Sequence, residues 1–101
     1  MGTLLYGLPP VEIELTDREL AHLKVVILTK LRRSEMFPLA VDGRAEDTGR
    51  RVLWIHPAIP LQFRFDALGE DKLNRIWLEE LMASANSGGS LRLGEEPAER
   101  S

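Results

Sequence analysis

Residues 16–33, TDRELAHLKVVILTKLRR, decide how the rest of the chain is read. Thr16 followed three residues later by Glu19 has the form of a capping box, in which the hydroxyl takes an orphan amide and the Glu reaches back. Leu20, Leu23, Ile27 and Leu31 recur at helical spacing, and Val26 and Leu28 widen the stripe. Lys30, Arg32 and Arg33 stand in the last turn, where cations meet the negative end of the helix dipole. The spacing predicts a first and longest helix over 16–33 with one dry face. Lys24 lies inside the apolar sector. Its stem can cover the core edge while the ammonium reaches water; the sharper alternative gives it an acid or a bound anion.

Working outward from this helix, Thr3 to Tyr6 reads as a short strand and Gly7-Leu8-Pro9-Pro10 as a turn. Val11-Glu12-Ile13-Glu14-Leu15 alternates strictly, the pattern of a strand with one wet face, and the two are expected to form a hairpin. Beyond the helix, Glu35 to Val41 is a strand whose Pro38 suggests an edge or a bulge. Asp42 to Arg50 is a polar loop. Arg51 to His56 is the most strand-like run, and Leu61 to Phe65 alternates again after Pro57-Ala58-Ile59-Pro60, so these two are expected to be antiparallel neighbours.

A second helix is predicted over Asp71 to Ala85, with Leu73, Trp77, Leu81 and Ala85 repeating every four residues. Asn74 falls in its apolar sector and so requires hydrogen-bond partners if buried, first of all at a strand end. Asn86-Ser87-Gly88-Gly89 ends the helix, and Leu91-Arg92-Leu93 can add a last strand. The expected fold is α+β: a mostly antiparallel sheet of about five strands with two amphipathic helices on one face. The order is β-β-α-β-β-β-α-(β).

With 101 residues and 44% hydrophobic content, the chain fits one domain with one core. The domain is expected over 1–93, with 94–101 a flexible acidic tail. There is no cysteine, which removes disulfides and thiolate metal sites and fits a reducing compartment. A net charge of −3 argues against coating nucleic acid through bulk charge. No run nears the ~20 apolar residues of a membrane span. The start lacks a secretory signal, and Tyr6 stands where a myristoylation site wants Ser or Thr. A cytoplasmic protein with no membrane contact is expected.

Reactive constellations are not found in the sequence. His22 and His56 are the two histidines, and neither has the spacing of a metal motif. His22 is placed on the polar side of the first helix, and His56 at a strand end. No Gly-x-Ser-x-Gly elbow and no phosphate-cradling glycine loop occurs. No catalytic residue, metal site or cofactor is assigned. The most suggestive surface is basic: Lys24, Lys30, Arg32 and Arg33 on the helix, with Arg50 and Arg51 opening the RVLWIH strand. Together these could hold phosphates, with Trp54 for stacking and His56 beside it as a partner contact. Trp54 and Trp77 are read first as core anchors.

The stretches LLYG, EIELTDRELAHLKVVILTKLRR, LWIHPAIPLQF and LNRIWLEELMASANSGGSLRL resemble a family of short, uncharacterised actinobacterial proteins. Its members often carry an "ATP-dependent DNA ligase" label. Such ligases attach AMP to the lysine of Lys-x-Asp-Gly. Ala40-Val41-Asp42-Gly43 has the Asp-Gly, but Ala40 stands in place of the lysine. Autonomous ligation is therefore rejected. The leading expectation is a non-catalytic interaction module for a protein partner or for a second copy of itself. The alternative is a nucleic-acid-binding accessory factor linked to DNA ligation or repair.

Overall fold

The computed structural model describes residues 1–42, 49–67, 72–87 and 89–98. Within them lie β1 (Gly2–Tyr6), β2 (Val11–Leu15), α1 (Asp17–Arg32), β3 (Phe37–Asp42), β4 (Arg50–Ile55), β5 (Leu61–Arg64), α2 (Arg75–Asn86) and β6 (Leu91–Arg92). The class is α+β, as expected.

The capping box forms. The Glu19 amide donates to Thr16 Oγ1 at 3.0 Å and the Thr16 amide to Glu19 Oε1 at 2.9 Å. The helix ends where Ser34 adopts φ 59°. Ser34 N–H then donates to Leu31 O and Glu35 N–H to Lys30 O, each at 3.0 Å, which satisfies two terminal carbonyls. Leu20, Leu23, Val26 and Ile27 are buried, and so are Trp77, Leu81 and Ala85 of α2.

The strands form two three-stranded sheets rather than one. The first has the order β2-β1-β5, antiparallel throughout, with Leu4 opposite both Ile13 and Phe63. The second has the order β4-β3-β6, with β3 antiparallel to β4 and parallel to β6. The expected β4–β5 pairing does not occur. The turn at His56–Pro60, closed by Ile59 N–H on His56 O at 3.0 Å, carries the chain from one sheet to the other. There β5 joins β1. Pro38 lies in the central strand, not at an edge; β6 pairs only from Leu39 onward, one residue past the proline.

The helices divide between the sheets. α1 packs on β1 and β2, α2 packs on β6, and the helices meet each other. One core results, in which Leu4, Ile13 and Leu15 of the first sheet share a cluster with Phe37, Leu39, Ile55 and Leu91 of the second.

Two further expectations change. The second helix begins at Arg75 behind the cap Asn74, so Leu73 precedes it and is 40% exposed. Asp71, the expected start, and Gly88, the expected cap, lie outside the described residues, as do 43–48 of the polar loop. His22 is fully buried instead of facing solvent, because α2 covers the side of α1 that the first sheet leaves open.

Candidate functional site

Strand alternation places Arg50, Val52 and Trp54 on one face of β4, opposite Asp42, Ala40 and Pro38 of β3. Arg92 of β6 follows beside Ala40. The other face of this sheet carries Phe37, Leu39, Val41, Ile55 and Leu91, all buried. The outer face is different. Trp54 is 50% and Val52 59% exposed, adjacent on this face, with Pro38 beside Trp54 and the buried Ala40 beside Val52. Trp77 is the core anchor that the sequence suggested; Trp54 is not. Arg50 reaches Asp42 at 3.4 Å across an exposed rim. The Tyr6 hydroxyl, coming from the first sheet, donates to the Trp54 carbonyl at 2.8 Å.

The basic residues do not gather. Lys30 is buried: its Nζ donates to Asn86 Oδ1 at 2.5 Å, lies 3.3 Å from Glu35 Oε1 and sits over the Phe37 ring. Lys24 is exposed, with its ammonium 5.7 Å from the centre of the Phe65 ring. Arg32 and Arg33 are exposed where α1 hands over to β3, whereas Arg50 lies opposite Asp42 at the far end of that strand. Five residues at about 3.3 Å each put about 17 Å between the two ends. The half-buried His56 accepts from Ala58 N–H at 2.9 Å through Nδ1, a local turn contact.

A second polar constellation escaped the sequence reading. Asn74 is wholly buried at the start of α2, and its Oδ1 accepts from the Ile76 and Trp77 amides. Its Nδ2 donates to Glu96 Oε2 at 2.9 Å and to Pro97 O at 3.0 Å. Arg18 grips Glu96 with two bonds of 2.6 Å and gives a third to Lys72 O at 2.8 Å. The Arg18 guanidinium, then the Asn74 amide, pull the Glu96 carboxyl down to about 2. His22 closes the set: the Asn74 amide donates to Nε2 at 2.8 Å, so Nδ1 carries the proton and donates to Arg18 O at 2.7 Å. Its ring lies 4.5 Å from that of Trp77.

Every nitrogen of His22, both side-chain polar atoms of Asn74 and both oxygens of Glu96 are committed. This is a clasp between α1, α2 and residues 96–97, which the sequence had assigned to a tail. One signal could have revealed it: Asn is a preferred N-cap, so Asn74 marks a helix start at Arg75, four residues later than the expected Asp71. Among the described residues, no group of three or more His, Asp or Glu side chains is placed to hold a metal ion. Among them, too, no helix is long and apolar enough to cross a membrane.

Set against known proteins, residues 1–96 match a family model described as Domain of unknown function (DUF7882). No curated protein and no solved structure matches the chain.

Proposed function

Because the chain belongs to the DUF7882 family over residues 1–96, we propose from its surface chemistry that it is a small, non-catalytic interaction module. A protein partner docks on the outer face of β4 and β3. The observation that carries this reading is the exposure of Trp54 and Val52 side by side, with the half-buried Pro38 flanking Trp54. Contiguous apolar surface rimmed by polar groups is typical of contact sites, and Trp and Arg are the residues most enriched at their energetic centres. Arg50 and Arg92 supply such a rim. The histidines support a non-catalytic reading, since His22 is spent in the clasp and His56 serves a turn. Ala40 offers no amine to carry AMP, so autonomous ligation forms no part of the proposal. Binding to nucleic acid would require Arg32 and Arg33 to act together with Arg50 and Arg51 from opposite ends of β3, so protein contact is preferred.

The test compares the tagged protein with a Val52→Ser, Trp54→Ser double variant, both recovered from native cells and both checked for unchanged unfolding temperature. The expected result is one protein, or a second copy of the chain, bound in defined ratio to the parent and lost from the variant. Equal recovery with both would refute the reading.

A further inference from the structure

The outer edge of β4 has a definite hydrogen-bonding phase, which two contacts and one proline establish. Pro38 has no amide hydrogen to exchange with its direct partner Trp54. The Trp54 carbonyl is instead taken by the Tyr6 hydroxyl. On the far side of β3, the Arg92 amide goes to Ser84 Oγ at 3.3 Å, so β6 does not meet Leu39 through it. In an antiparallel pair, alternate residues turn both backbone groups toward the neighbour. The Phe37, Leu39 and Val41 row therefore bonds with Ile55, Leu53 and Arg51. Arg50, Val52 and Trp54 turn theirs outward. Among the described residues no strand pairs with that outward edge.

We infer that this edge receives an extended peptide segment as an added strand, one that carries two adjacent carboxylates beside an apolar residue. The inference rests on the interaction-module reading and specifies its partner. A residue placed opposite Val52 exchanges two backbone hydrogen bonds with it. Its side chain then stands on the outer face against Val52 and Trp54, which favours an apolar group. The next two residues fall opposite Arg51 and Arg50, where cross-strand pairing favours carboxylates. Both arginines are already engaged within the chain, Arg50 with Asp42, but both are exposed, and contacts at such positions exchange with an incoming acid at little cost. Added pairing ends at Leu53, because Tyr6 occupies the Trp54 carbonyl.

The same geometry disfavours a second copy of β4 as the occupant. Antiparallel self-pairing in the right phase has three registers within the strand. One sets Arg50 of each copy opposite Val52 of the other and brings the two Arg51 side chains face to face, a repulsive cross-strand pair. The other two, centred on Val52 and on Leu53, both need the backbone of Trp54, whose carbonyl the Tyr6 hydroxyl already holds.

The experiment pans a random eight-residue peptide library against the intact protein, then titrates the synthesised winner while backbone amides are followed by NMR. The expected winners hold paired Asp or Glu next to Val, Ile or Phe, and they shift the Arg50 and Val52 amides most. Arg50→Glu with Arg51→Glu weakens binding at least tenfold. N-methylation of the peptide at the two amides facing β4 does the same without altering the protein. Winners that are basic or uncharged, an N-methylated peptide that binds equally, or no enrichment at all would each overturn the inference. A native partner lost on replacing Val52 and Trp54, together with an acidic peptide that leaves β4 unmoved, would retain the docking face and remove strand addition.

Discussion

The backbone amide of Asn74, just ahead of α2, donates to Nε2 of His22 on α1 across 2.8 Å. A helix start is thereby anchored to the side chain of the helix it packs on. The same Asn caps its own helix and holds Glu96 and Pro97. Asn74→Ala should accordingly cost more than a surface cap. Losing the cap is worth about 1 kcal/mol, and stranding the other partners raises the total to roughly 2–4 kcal/mol. Urea unfolding of the variant measures it. Ser87→Ala, which removes an exposed bond to Ser84 O, should stay within about 0.5 kcal/mol.

Glu96 makes stability depend on pH in a stated direction. Its carboxyl is held at about 2 in the folded chain against an ordinary value of 4.5. A folded value below the unfolded one gives stabilisation that is complete above about pH 4.5 and is lost as pH falls toward 2. Denaturant midpoints for the parent and Glu96→Gln, taken from pH 7 down to pH 2, should differ at the top of this range and converge at the bottom.

How far the sequence reached is clearest at the two helices. Thr16, Glu19 and the period of Leu20, Leu23 and Ile27 are local signals, and α1 lies within a residue of its expected ends. At α2, Leu73 continued the four-residue apolar spacing for one turn beyond the helix and hid Asn74 as the cap. His22 was misplaced because one stripe marks only one buried side, and α1 is covered on two. The division into two sheets depends on which strands meet across long separations, such as Tyr6 with Leu61 and Leu39 with Leu91. Alternation within each strand is silent on that. It was equally silent on which side of β4 would stay open, and so on the exposure of Trp54.

Ser34 occupies the left-handed region with φ 59° at the end of α1. A side chain there costs roughly 1 kcal/mol relative to glycine. Ser34→Gly should raise stability by about 0.5–1 kcal/mol, since the hydrogen bonds of Ser34 and Glu35 to the last turn use only backbone atoms. Thermal unfolding by circular dichroism provides the check.

Lys30 and its neighbours Arg32 and Arg33 should behave oppositely. Lys30→Ala removes a buried ammonium and leaves Glu35 and Asn86 without their partner, which should cost roughly 2–4 kcal/mol. Arg32→Ala and Arg33→Ala, at exposed positions, should each stay within about 0.5 kcal/mol. Denaturant titrations of the three variants distinguish the cases.

Gly2 leaves no space for a methyl group. A Cβ there would lie 2.8 Å from Asp17 Oδ1 and from Leu20 Cδ2, and 3.1 Å from the backbone oxygen of Arg64. Gly2→Ala should therefore destabilise by roughly 1–3 kcal/mol through overpacking where α1 starts above β1. Gly94→Ala, with open space around it, is the matching control in the same unfolding assay.

The parallel pairing of Leu39 with Leu91 also has a consequence for the order in which the molecule is made. A nascent chain emerging from the ribosome can close the β1–β2 and β3–β4 hairpins early, since their strands are near neighbours along the chain. The inner flank of β3 stays uncovered until β6 emerges, and the Arg18 clasp stays open until Glu96 follows. Synthesis interrupted before that point leaves an oily strand flank in water, a natural target for chaperones and proteases.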